Sequence, residues 1–531
     1  MHIHTLFKTC LFLLVGAFVF LLPQLIRAQE DVPTPEDFDA NDITLESNYA
    51  IEPAVINLSV PTTAVFDGQD LLIAESGFAQ TAQPRVLRLK PDGTTSVEVS
   101  EGLEPPVLGL LIIDNQLYIS HRGKVSRVEE DGSLTDIVTG LPSEGDHQNN
   151  NISLGPEGKI YLGQGTVTNT GVVGEDNYVF GWLDKKPELH DIPCQDITLR
   201  GQNFTTGNPL TDNGQEVITG AYKPFGTPST EGETINGDVK CNGAILRFNP
   251  DGSDVEVVAW GLRNPFGLEF DEQGQLWATY HGADVRGSRP VFNDPDYLLK
   301  VEEGAWYGWP DFFDGVSVEQ SRFKEPTQPQ PHQLWQQHQP LTLPYMTFES
   351  HEGTNGLAIS LSDNFGFKGQ AFIAAFGTFA PVTTGANVEP NGFRIIRADL
   401  ENKQEFDFAS NVLPGPAYLN QQDGLNRPSD VVFGPDDALY VIDWGAATLD
   451  EEGLKLVPQT GAIWRIYNTS TQQSRFETPI KVPAEPIPLE ERETLARTSW
   501  ELVQPLLPYL ILILGVIVLV ILAIIYLLRR P

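Results

Sequence analysis

The stretch Asn150-Asn151-Ile152-Ser153-Leu154-Gly155-Pro156-Glu157-Gly158-Lys159-Ile160-Tyr161-Leu162 decides the fold. It reads as an alternating strand, a Gly-Pro-Glu-Gly turn and a second short apolar strand, which is the pattern of a β-hairpin. Just before it stand Gly145, Asp146, His147, Gln148 and Asn149, a polar segment built from groups that can move protons or hold a ligand. The same hairpin pattern recurs at 64–73, 110–119, 267–278 and 430–441, with a weaker copy from Leu357 through Phe372. Each copy has a partner strand carrying one basic residue in an apolar setting: Arg88, Arg127, Arg247, Lys300, Arg397 and Arg465. One such unit cannot bury its apolar face alone, so the units must pack around a common axis. Six units, with no convincing amphipathic helix between them, predict an all-β fold, a six-bladed β-propeller over residues 50–468.

The spacing is uneven. An insertion of about Thr166 to Lys240 splits the third unit, and another, Gly304 to Glu352, follows the fourth. Long insertions on a rigid scaffold serve as functional loops or as peripheral decoration, and length does not choose between them.

The 531-residue chain carries 34 Lys plus Arg against 71 Asp plus Glu, a formal net charge of -37. That charge repels nucleic acid and anionic headgroups. Lys8 followed by the apolar run Leu11 to Leu22 reads as a signal peptide over residues 1–28, with an acidic linker over 29–49. Residues 469–501 read as a stalk rich in proline and charge. Residues 502–530 read as a transmembrane helix, because Leu506 to Leu528 is apolar throughout and long enough for a bilayer core of ~30 Å. Arg529 and Arg530 place that end on the cytoplasmic side, so the propeller is expected to be exported and membrane-tethered. Cys194 and Cys241 are the cysteines left after the signal peptide, and an exported compartment favours a disulfide between them over two free thiols.

In a propeller, the segments entering the innermost strands meet at one mouth. Those segments offer Asp146, His147, Gln148 and Asn149; Arg263 and Asn264; His351, Glu352, Thr354 and Asn355; and Asn426 and Arg427. Histidine and arginine around one pocket can take a proton and hold an anion. Singly, each reads better as a loop-capping or strand-entry residue; as a set they predict a site.

Four motifs carry a family resemblance: Asp146-His147-Gln148 before Gly155-Pro156-Glu157-Gly158; Gly261-Leu262-Arg263-Asn264-Pro265-Phe266-Gly267; Gly304-Ala305-Trp306-Tyr307-Gly308-Trp309-Pro310; and Arg427-Pro428-Ser429-Asp430. With these the chain resembles the glucose/sorbosone dehydrogenase family of quinoprotein propellers. The resemblance implies oxidation of a sugar or polyol by pyrroloquinoline quinone (PQQ), with calcium beside it. His147 would be the general base and Arg263 would polarise the quinone. Asn264 would orient the ring, and Arg427 would pair with a cofactor carboxylate. The sequence departs from the family where an aspartate would follow the base, since Gln164 stands there. No lysine occurs in 374–379, Ser429 replaces a second clamp arginine, and the calcium loop reads Tyr280-His281-Gly282-Ala283-Asp284. Two other readings stay open: a non-catalytic propeller binding a glycan or a protein, and a metal-dependent hydrolase using Glu75, Glu352 and Asp443.

Overall fold

The computed structural model describes residue 38 and residues 40–483, apart from 79–82, 212–213, 380–382, 384–389 and 451–452. The proposed signal peptide, most of the stalk and the proposed transmembrane helix lie outside the described residues. Within them, no helix is long and apolar enough to cross a membrane.

Six antiparallel sheets form the expected propeller. Blade one is Pro61–Asp67, Asp70–Glu75, Arg85–Leu89 and Thr95–Val99; blade two is Val107–Ile113, Gln116–His121, Lys124–Val128 and Leu134–Thr139. Blade three is Asn149–Leu154, Ile160–Gln164, Ala244–Phe248 and Glu256–Trp260. Blade four is Asn264–Phe270, Leu276–His281, Tyr297–Lys300 and Met346–Thr347. Blade five is Thr354–Ile359, Ala371–Ala375, Arg394–Asp399 and Gln404–Asn411. Blade six is Pro428–Phe433, Leu439–Asp443, Gly461–Asn468 and, from the other end of the chain, Tyr49–Leu58.

That last pairing closes the ring, with Tyr49 opposite Asn468 and Leu58 opposite Gly461. It gives blade six its fourth strand. In the hairpin that opened the reading, Ser153 pairs with Tyr161, and Gly158 turns the chain at a φ of 79°, a region open to glycine at no steric cost. The basic residues of the third strands are explained by local pairing. Arg88 meets Asp67, Asp70 and Glu98, Arg247 meets Glu256 and Glu303, and Arg465 meets Glu52 and Asp436.

Three sequence expectations change. Residues 43–45, assigned to the linker, form an extra strand on blade five opposite 409–411. Ile480 and Lys481, assigned to the stalk, pair with Val55 and Ile56. The insertion at 304–352 lies inside blade four rather than after it, because Met346–Thr347 returns as that blade's outer strand. Both insertions are structured and pack on blade three. Ala305–Trp306 adds to Glu256–Trp260, and Arg200 Nε donates to the Trp335 carbonyl at 2.7 Å. The rings of Trp260, Trp306 and Trp335 lie 5.8–6.2 Å apart. Cys194 and Cys241 are disulfide-bonded and tie the first insertion to the start of the third strand of its blade.

Candidate active site

The beginnings of the innermost strands surround a cavity of about 230 Å3. One wall is polar and comes from blades three and four: Asp146, His147, Gln148, Arg263, Asn264, His281, Asp284 and Arg286, with His351 beside them. The opposite wall is aromatic, from Phe78, Phe376, Phe379 and Trp444. Of the sequence-derived candidates, the fold brings Asp146, His147, Gln148, Arg263, Asn264, His351 and Asn355 to this cavity.

His147 precedes the first strand of blade three, held by its backbone N–H on the Thr166 carbonyl at 3.1 Å. Its ring Nδ1 lies 3.2 Å from the same carbonyl. A carbonyl can only accept, so Nδ1 carries the proton and Nε2 keeps its lone pair. Burial holds the ring well below the ordinary histidine pKa, and Arg263, Arg286 and His281 push it further down against the opposing pull of Asp284. His147 is therefore neutral and basic at one defined atom near pH 7. Gln164 does not serve it: the Gln164 amide donates to the Pro142 and Gly165 carbonyls. A backbone carbonyl thus orients the ring where a carboxylate was sought.

Arg263 donates to Gly282 O at 2.6 Å and to Asp284 at 2.8 Å. Asp284 also receives Arg286 Nε at 3.0 Å, and His351 Nδ1 stands 3.4 Å away. Burial raises the Asp284 carboxyl, but Arg263, His351 and Arg286 more than offset it, so it stays ionised. Arg286 pairs in turn with Asp146 and Asp176. His281, Asp284 and Arg286 were missed as site residues because only the segments entering first strands were read. His281 ends the second strand of blade four and Asp284 and Arg286 follow it, where the sequence pointed to calcium alone.

In the loop where calcium was expected, several groups have other partners. The Gly282 carbonyl is taken by Arg263, and Asp296 accepts the backbone N–H groups of Gly282 and Thr354. Among the described residues no group of three or more His, Cys, Asp or Glu could hold a metal ion. The hydrolase carboxylates are also committed elsewhere. Glu75 pairs with Arg85, Glu352 with Arg394, and Asp443 accepts three backbone N–H groups.

Arg427 does not line the cavity. Its guanidinium sits 3.7 Å from the Phe379 ring centre and 5.2 Å from those of Phe376 and Phe393. It donates to the carbonyls of Gly377, Thr378 and Ala447. Burial pushes its pKa down to about 10. Phe379 stands between this cation and any ligand in the cavity. Asn149 is likewise structural, its amide stapling blade three to Ser120, His121 and Lys124 of blade two.

Comparisons with known proteins bear on the family resemblance and on the fold. Residues 232–389 match the glucose/sorbosone dehydrogenase family model, so the resemblance holds over a stretch that includes Arg263, Asn264 and the Tyr307-Gly308-Trp309-Pro310 motif. A stretch of 178 residues is 24% identical to quinoprotein glucose dehydrogenase B of Acinetobacter calcoaceticus, covering 33% of this chain and 28% of that protein. The chain thus matches little more than a quarter of that relative's length. Two solved structures share the fold at 14% identity and a TM-score of 0.51, each covering 82% of this chain. One is the Trichoderma reesei family AA12 carbohydrate-active enzyme, covered over 100% of its length; the other is the PQQ domain of Coprinopsis cinerea pyranose dehydrogenase in its holo form, covered over 98%.

Proposed function

We propose that the protein is an oxidoreductase that dehydrogenates a hydroxyl of a sugar or polyol, with PQQ as its cofactor. The observation that carries this reading is His147 Nε2, a base whose proton state is set by its neighbours, facing a cavity shared with Arg263. His147 takes the hydroxyl proton, and Arg263 supplies positive charge at the side where negative charge develops. The cofactor, when bound, accepts the hydride.

The residues fit the flat, carbonyl-bearing part of that cofactor. Arg263 Nε and Thr378 Oγ1 are buried without hydrogen-bond partners, His281 Nε2 stands beside Asn355, and all three can donate to carbonyl oxygens. Phe376, Phe379 and Trp444 offer ring faces. The cofactor's carboxylates fit less well, since Arg263 and Arg286 are already paired and Arg427 lies behind Phe379. The test is dye-linked turnover of an aldose and polyol panel by purified protein supplied with PQQ, beside calorimetric titration of PQQ. Turnover and binding are expected; absence of both sinks the reading.

The covered Arg427 favours a second reading, a glycan-binding propeller without catalysis. Its aromatic wall would stack on sugar C–H faces. Binding of sugars with no turnover under any cofactor would select it.

We also propose export and tethering through residues 502–530, which the oxidised Cys194–Cys241 pair supports. Protease digestion of intact cells should remove the propeller and spare a fragment containing Leu506 to Leu528; protection of the propeller would exclude this orientation.

A further inference from the structure

The cavity holds a second histidine whose proton can be placed by following hydrogen bonds. The Pro265 carbonyl can only accept, so the Asn150 Nδ2 that lies 2.8 Å from it is a donor. The same Nδ2 donates to Asn264 Oδ1 at 2.7 Å, which turns Asn264 Nδ2 toward His281 Nδ1 at 3.0 Å. His281 Nδ1 is therefore the acceptor, and the ring proton is on Nε2. That N–H is buried in the cavity wall beside the Asn355 side chain, the neighbour a ligand oxygen would displace or share. Phe266 stacks on the ring at 5.8 Å and fixes its plane. The groups acting on it are Asp296, Arg263, Asp284 and Asn355, and burial keeps it neutral.

Two histidines of opposite tautomer thus face one cavity: His147 presents a lone pair, His281 presents an N–H. We propose that His281 Nε2–H is the hydrogen-bond donor for the ligand oxygen that gains negative charge, while His147 takes the proton from the oxygen that loses one. In a dehydrogenation the substrate O–H breaks toward His147 Nε2. The adjacent C–H leaves with its electron pair for a quinone acceptor, on whose oxygen the negative charge would develop, and the substrate carbonyl forms. His281 releases no proton; a neutral imidazole N–H stabilises charge as a preorganised donor. This assignment rests on the oxidoreductase reading for its purpose, but the tautomers and the donor role can be tested without turnover.

Long-range proton–nitrogen correlation spectra of the full chain, with His147→Gln and His281→Gln variants to assign the ring signals, read the tautomers directly. The expected result is His147 protonated at Nδ1 and His281 at Nε2, with added PQQ, whose quinone carbonyls are the proposed acceptors, shifting the His281 Nε2 signal. In turnover assays His281→Phe should lower kcat by about 10²–10³-fold, the cost of one missing donor at a developing oxyanion. His281→Gln, which keeps an N–H, should recover part of that loss. A His281 protonated at Nδ1, or PQQ binding that leaves its signal unmoved, would overturn the proposal. A His281 Nε2 response to PQQ in a protein without turnover would uphold the donor and defeat only the oxidoreductase reading.

Discussion

Arg263 and Arg427 both begin innermost strands, both are nearly fully buried, and both were assigned to the same cofactor from sequence. Their surroundings differ in kind. Arg263 is met by a carboxylate, Asp284, itself shared with Arg286 and His351. Arg427 is met by three phenyl rings and three backbone carbonyls, and its Nε has no partner. The first arrangement keeps a charged, water-poor pocket in a defined electrostatic state. The second keeps a cation out of that pocket. A sequence motif places an arginine at a blade mouth; whether its charge faces the cavity depends on the loop packed over it.

Substitutions should break this symmetry in a graded way. His147→Ala should lower turnover by about 10²–10⁴-fold, the usual share of a general base, while calorimetry with glucono-δ-lactone shows little change in affinity. Asp284→Ala should destabilise the protein by about 3–5 kcal/mol in urea unfolding, because it leaves buried guanidinium charge uncompensated. Arg427→Met should do the reverse, leaving stability within about 1 kcal/mol or raising it, since a costly buried cation is replaced by an apolar chain. Loss of PQQ binding in the Arg427→Met protein would instead show that ligand binding turns Arg427 toward the cavity.

The smallest effect concerns pH. The folded-state pKa of His147 is depressed below its ordinary value of 6.5, so the unfolded chain binds more protons than the native one between the two values. This residue's contribution to stability is full above pH 6.5 and is lost as pH falls through that window. Turnover should accordingly stay level above pH 6.5 and decline only below it. An acid limb at or above 6.5 in the pH–rate profile would place the ionisation on another group.

The blades were legible because their determinants are local. Alternation, tight turns and one basic residue per partner strand recur in the chain itself, and even the weak copy at Leu357 to Phe372 folds as Thr354–Ile359 and Ala371–Ala375. His147, Arg263 and Asn264 were legible because they stand at fixed distances before those strands. Asp284 and Arg286 were not, because nothing near them in sequence announces that a loop after the second strand of blade four turns back toward the axis. The closing strand was equally hidden: Tyr49–Leu58 finds its partner more than 400 residues away, at Gly461–Asn468.

By itself, then, the sequence determined the number of blades, the polar residues at their mouths, the two insertions and the cysteine pair, since each depends on residue type and short-range spacing. Tertiary structure alone decided which charge meets which. It put a carbonyl behind His147 where a carboxylate was sought, linked Arg263, Asp284 and Arg286 into one network, and set Phe379 over Arg427. Those outcomes depend on distances of a few ångströms between segments far apart in the chain, and at that range Coulomb energies and hydrogen bonds change sign or vanish with the packing of a single loop.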